Sequence, residues 1–238
     1  LRRQRQMCIR DSYPDKPVYL FAHSMGTIIS RVVLQKHSAD YDKVVLSGYP
    51  NFQYGAYAGI FLSSVLSAIH GPKYKSKLLQ YLSVGSFNRK IAHPRTDVDW
   101  ICANPDTIEQ YLSDPLCGIG FTTSAFHDLY RLVILMHNPG LYQNISANLP
   151  FLLISGNDDP CTGGKKAALI LSRYCSLQDS RTLRPMSIRI CGMRFSMNMG
   201  ILWCMKKSKT FLHFLKNTEF SKQKKLSCIL ILQLSLSL

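Results

Sequence analysis

Residues 21–27, FAHSMGT, set a serine between small residues directly after an apolar run. In a strand–serine–helix turn the serine sits on a sharp, strained corner with its hydroxyl exposed. The backbone crowds there, so the positions two before and two after must be small. Ala22 and Gly26 meet that requirement around Ser24, with Ala where the usual pattern has Gly. Such a corner makes Ser24 a candidate nucleophile. The Met25 amide, at the N-terminus of the following helix, would be one donor to an oxyanion. The plainer alternative is a serine that only caps a helix after a strand. Further along, SGNDDP (155–160) ends another apolar run with two carboxylates, Asp158 and Asp159. Either could orient a catalytic histidine and offset its charge, or merely shape a turn before Pro160.

These residues need elements to hold them. PVYLFAH (17–23) reads as a buried strand, MGTIISRVVLQKH (25–37) as a one-faced helix and KVVLSGYP (43–50) as a second buried strand. Strand, turn, helix, strand is one unit of a parallel sheet. Residues 51–147 break the alternation. They are rich in aromatics (Phe52, Tyr54, Tyr57, Phe61, Tyr74, Tyr81 and Phe87) and read as mostly helical, clearest at 107–115 and 126–139. This stretch is expected to be an inserted cap over an apolar acyl site, with most of its aromatics serving as the cap's own core. LPFLLISGNDDP (149–160) resumes the strand pattern. The fold class is therefore α/β, a parallel sheet with flanking helices and a helical cap. The expected divisions are a non-native leader (1–12), core with the serine turn (13–50), cap (51–147), core with the acid-bearing strand (148–175) and an aberrant tail (176–238).

The chain's net charge of +15 is unevenly spread. Residues 1–12 carry +3, residues 13–159 balance to zero and residues 160–238 carry +12. A nucleic-acid-binding face would place its lysines and arginines on the folded body, so that class is set aside. KYKSK (73–77) reads as a solvated face, with transient contact to a membrane surface as its alternative use. The eight cysteines show neither CxxC nor metal-ligand spacing. They read as reduced thiols in a cytoplasmic protein without metal or cofactor. LRRQRQMCIRDS (1–12) has no apolar signal region, and the apolar stretch 226–238 is shorter than the roughly 20 residues of a membrane span.

FAHSMGT, VVLSGYP, RTDVDWICANPDTIEQYLSDPLCG and LLISGNDDP, in that order, resemble the monoacylglycerol lipase and lysophospholipase group of α/β-hydrolases, the serine aminopeptidase S33 family. The likeness covers about residues 13–166. It implies a serine esterase or lipase acting on monoacylglycerol- or lysophospholipid-like acyl esters through a Ser–Asp–His triad. Its alternative is a hydrolase-like module that binds a lipid or a partner without catalysis. In this family the triad Asp comes three residues after a Gly and is often followed by Pro, which matches Asp159 rather than Asp158. His23 is usual beside the serine and is not the base. The order Ser, acid, His excludes His37, His70, His93, His127 and His137, which precede Asp159. His213 alone follows it, mid-pattern in KTFLHFLKN and farther from the acid than the family spacing. The resemblance thus leaves the base unassigned. The second oxyanion amide, expected from a His-Gly loop on an earlier strand, is unassigned too.

Codon reading offers a reason. GMRFSMNMG (192–200) can be encoded so that the next frame reads HEIFNEYG, resembling the family segment that carries the catalytic histidine. Met193, Met197 with Asn198, and Met199 with Gly200 force several of those bases. Glycine and lysine codons at 163–166 can form G and A runs prone to insertion or deletion. A frameshift between about 163 and 191 would explain the basic, Met- and Cys-rich tail. A tail never selected with this fold is expected not to complete the sheet.

Overall fold

The structure is a computed structural model that describes residues 11–12, 14–142, 145–146, 149–156 and 159–163, together with the backbone of 184–185 and 228–232. Three parallel strands form its centre: β1 (Val18–His23), β2 (Lys43–Ser47) and β3 (Phe151–Ile154). β1 pairs with β2 from Tyr19 opposite Lys43 to His23 opposite Ser47, and β2 pairs with β3 from Val44 opposite Phe151. Every residue of β2 and β3 is buried. Strands covered on both faces need apolar residues at successive positions, and VVL and FLLI supply them. Val18, Leu20, Ala22, Val44, Leu46 and Leu153 share one core cluster.

The helix α1 (Met25–His37) links β1 to β2 and buries Ile28 and Leu34. Five further helices run between β2 and β3: α2 (Gly55–His70), α3 (Lys77–Leu82), α4 (Gly85–Asn88), α5 (Pro105–Ser113) and α6 (Thr123–His137). Side-chain oxygens of Ser76, Asn104 and Thr122 accept from backbone amides at the starts of α3, α5 and α6, satisfying donors a helix start leaves unpaired. α2 and α6 pack closely because Gly59 has no side chain. A Cβ there would stand 2.6 Å from the Tyr130 ring. Tyr130 is itself held by a hydrogen bond to Ser83.

Two expectations are corrected. Of the seven aromatics named in 51–147, Tyr54, Tyr57, Phe61, Tyr74 and Tyr81 are exposed rather than buried in a cap core. The buried aromatics of the cap are Trp100, Tyr111 and Phe126, alongside Ala56, Ile91, Val133 and Met136. The tail also reaches the sheet. β4 (Arg184–Pro185) pairs with β3, and β5 (Cys228–Leu232) pairs with β1, both parallel, giving the order β4-β3-β2-β1-β5. An open edge of β1 presents unpaired N–H and C=O groups. CILIL, apolar with two isoleucines, has the composition that pairs with such an edge whether or not it was selected for it.

Candidate active site

Ser24 stands between the last residue of β1 and the first of α1, with φ 50° and ψ −123°. A side-chain-bearing residue rarely adopts that backbone, and holding it costs on the order of 1–3 kcal/mol. The strain is held by hydrogen bonds on both sides. The Ser24 amide donates to the Ser47 carbonyl at 3.0 Å, and the Ser24 carbonyl accepts from the Thr27 amide at 2.9 Å and the Thr27 hydroxyl at 2.7 Å. The Ser24 hydroxyl caps nothing in the helix that follows. That disposes of the simple N-cap alternative. Met25 opens α1, where the first amides have no acceptor within the helix.

Ser24 and Met25 line a cavity of about 390 Å³, walled by apolar side chains that include Ile28, Trp100, Val133 and Cys161. The size suits a small organic ligand. α2, α3 and α6 close its sides, so the helices between β2 and β3 cover the serine.

Asp159 lies five residues beyond β3. Because β1, β2 and β3 are parallel, it is at the same sheet edge as Ser24, two strands away. Its Oδ1 accepts from the Cys161 amide at 2.8 Å. The turn around it is tied to the loop after β2. The Asn51 amide donates to the Cys161 carbonyl at 3.1 Å, and Asn51 Nδ2 donates to the Thr162 carbonyl at 3.0 Å. Burial raises the Asp159 carboxyl above its usual range, and hydrogen bonds from Cys161 and Thr162 oppose that rise. A buried carboxylate held this way gains by facing a cation. Asp158, the alternative acid, lies outside the described residues, as does His213.

His23 is not among the residues that line the cavity. Its Nδ1 is 3.2 Å from the Ser47 hydroxyl, and burial lowers its pKa to about 4, partly offset by a hydrogen bond to the Ser47 backbone. Gly48, with φ +55°, makes room for it. A Cβ at Gly48 would stand 3.1 Å from His23 Cε1 and 3.7 Å from Asp159 Oδ2. The other described histidines are engaged elsewhere. His37 pairs with Asp40, His127 with Asp128, His70 lies against Tyr74, and His137 stacks on Phe52. His93 is exposed. The site therefore brings Ser24 and Met25 to one cavity, sets Asp159 at the same edge, and holds no described histidine between them. Sequence reasoning missed Gly48. The signal was a glycine directly after a buried strand, one position past the residue that accepts from Ser24.

Among the described residues no His, Cys, Asp and Glu cluster could hold a metal, and no helix is long and apolar enough to cross a membrane. Cys102, Cys117 and Cys161 are free thiols.

The profile of the family described as serine aminopeptidase, S33 matches residues 6–183. Among curated proteins no significant match was found. Of solved structures, a highly thermostable carboxyl esterase from Bacillus coagulans superposes with TM-score 0.72 at 20% identity, over 88% of this chain and 68% of that one. A monoacylglycerol lipase of Paleococcus ferrophilus gives 0.55 at 18%, over 78% and 63%. A soluble variant of the Saccharomyces cerevisiae monoglyceride lipase gives 0.56 at 15%, over 90% and 65%. At such identities the superpositions show a shared fold, and the chain spans about two thirds of those structures. The strained serine corner, the parallel sheet beneath it and a profile match over most of the sequence agree: this chain belongs to the serine aminopeptidase S33 family and has a partial α/β-hydrolase fold.

Proposed function

We propose that this chain derives from a serine ester hydrolase whose nucleophile is Ser24 and whose triad acid is Asp159. The observation that carries the reading is Ser24 itself, held at φ 50° with a hydroxyl that caps no helix, in the lining of an apolar cavity. In the reaction Ser24 Oγ attacks the carbonyl carbon of an acyl ester while a histidine takes its proton. The oxyanion is met by the Met25 amide, and the alcohol leaves with the proton the histidine returns. Water then releases the acid from the acyl-enzyme by the same steps. Asp159 fixes the histidine's tautomer and faces its charge. The apolar cavity favours a small lipid-like ester of the monoacylglycerol or lysophospholipid kind, and no metal or cofactor enters the chemistry.

As it stands, the chain is expected to turn over esters poorly. No described histidine reaches Ser24, and codons for 192–200 can be chosen so that the next frame reads the family-like HEIFNEYG. The second reading, a lipid- or partner-binding module without catalysis, draws on that same missing base. The two separate on one assay. Protein expressed from the sequenced genomic locus is offered p-nitrophenyl butyrate, a monoacylglycerol and an aminoacyl p-nitroanilide. Ester turnover without amide turnover supports the hydrolase. No turnover from an intact frame supports the binding module.

A further inference from the structure

We propose that Arg31 and Asn51 are positioning residues, a hydrogen-bonded relay that fixes the Asp159 turn relative to the Ser24 corner. The sheet alone does not fix it. Ser24 follows β1 directly, but Asp159 lies five residues beyond β3, where no strand pairing holds the backbone. That turn is gripped from outside. Three successive carbonyls accept from residues elsewhere in the chain: Pro160 from Lys90 Nζ at 3.4 Å, Cys161 from the Asn51 amide at 3.1 Å and Thr162 from Asn51 Nδ2 at 3.0 Å. Asn51 thus sets a main-chain and a side-chain donor on adjacent peptide units, which its short amide side chain allows. With the carbonyls held, the Cys161 amide is left facing Asp159 Oδ1, to which it donates at 2.8 Å.

The grip continues to the serine. Pro50 precedes Asn51, and its carbonyl accepts from Arg31 Nη2 at 2.5 Å. Arg31 Nε donates to the Thr27 carbonyl at 3.2 Å, and the Thr27 hydroxyl donates to the Ser24 carbonyl at 2.7 Å. Thr27 and Arg31 are 0% and 4% exposed. Taking a guanidinium out of water is unfavourable unless its donors are occupied. Its planar fork occupies the Thr27 and Pro50 carbonyls together, a geometry that a lysine ammonium on a flexible stem does not reproduce. Arg31 is not among the residues lining the cavity, so this bridge is its route to the site. The effect on catalysis rests on the reading of Asp159 as triad acid; the relay itself does not.

Asn51 also lines the cavity, so lost turnover alone would not separate positioning from ligand contact. Two measurements do. The first uses the full chain, with cysteine, valine and glycine labelled with nitrogen-15, and follows amide hydrogen exchange by NMR. Cys161 is the probe; Val44 and Gly48, which donate to the Pro150 and Ile154 carbonyls, are the controls. Asn51→Leu keeps a branched side chain without the donor. It should speed exchange at Cys161 about fivefold, as loss of one hydrogen bond of ordinary worth permits, and leave the controls unchanged. Arg31→Lys should do the same, because it keeps the charge and loses the fork. Asn51 is half-buried, so its variant decides the question if Arg31→Lys does not fold. Unchanged exchange at Cys161 in either folded variant, or equal loosening of Val44 and Gly48 in Asn51→Leu, overturns the proposal. The second uses protein expressed from the sequenced locus. There Asn51→Leu should lower kcat by about 100-fold with KM little changed, and lower it no further once Asp159→Asn is present. An undiminished effect in the Asp159→Asn background would make Asn51 a ligand contact and also overturns the proposal. If that protein has no ester turnover, the hydrolase reading fails and the exchange measurement still decides the relay.

Discussion

The Ser24 amide donates to the Ser47 carbonyl at 3.0 Å, joining the corner after β1 to the last residue of β2. That bond places the serine at the end of the sheet rather than in the helix that follows. It also fixes the backbone in a conformation that glycine would hold without strain. Ser24→Gly is therefore expected to stabilise the fold by about 1 kcal/mol, and Ser24→Ala to leave the strain in place. Urea unfolding of the two variants checks this. Equal stability would mean that the corner is relaxed in solution.

His23 is buried and its pKa is lowered to about 4. Between that value and the ordinary 6.5 the unfolded chain binds a proton that the folded chain refuses. The stability associated with a neutral His23 is thus full above pH 6.5 and is lost as pH falls toward 4, by on the order of 3 kcal/mol. Asp159, raised by burial, acts with the opposite sign: its contribution is present below the ordinary carboxyl value and lost as pH rises. His23→Gln should flatten the acid limb of a plot of unfolding free energy against pH. An unchanged slope in the variant would show that His23 does not hold a depressed pKa.

Much of this arrangement was legible in the residues. Apolar runs at 17–23, 43–50 and 149–160 marked the three central strands because strands buried on both faces need no polar alternation. The small residues around Ser24 marked the corner because the backbone crowds there. The cap was less legible. An aromatic count does not say which side of a helix faces water, and Tyr54, Tyr57 and Phe61 proved exposed. The pairing of β5 with β1 was missed for a related reason: an apolar run meets an open strand edge on local chemistry alone. Gly48 was missed because its role depends on His23 and Asp159, which meet only in three dimensions.

Gly59 predicts a packing effect. A side chain there would press on the Tyr130 ring, whose hydroxyl is held by Ser83. Gly59→Val is expected to push α2 from α6 and cost about 1–3 kcal/mol. It should also narrow the cavity, so longer acyl ligands would lose more affinity than shorter ones. A melting temperature equal to the parent's would contradict the close packing.

The reading frame can be checked without any protein. Sequencing the genomic locus should reveal a missing or extra base between the codons for about 163 and 191, restoring HEIFNEYG in frame downstream of Asp159. An uninterrupted frame through Gly192, Met193 and Arg194 would remove the explanation offered for the absent histidine.

The central claim is that Ser24 is the residue that takes the acyl group. The direct measurement is ester turnover by protein expressed from the sequenced locus, with and without Ser24→Ala, followed by mass spectrometry of the trapped acyl-enzyme. The account predicts that the substitution lowers kcat by about 10⁴-fold or more, as loss of a triad nucleophile does, and abolishes acylation of the peptide containing FAHSMGT. Undiminished turnover by the Ser24→Ala protein, or an acyl group trapped on another residue, would contradict it.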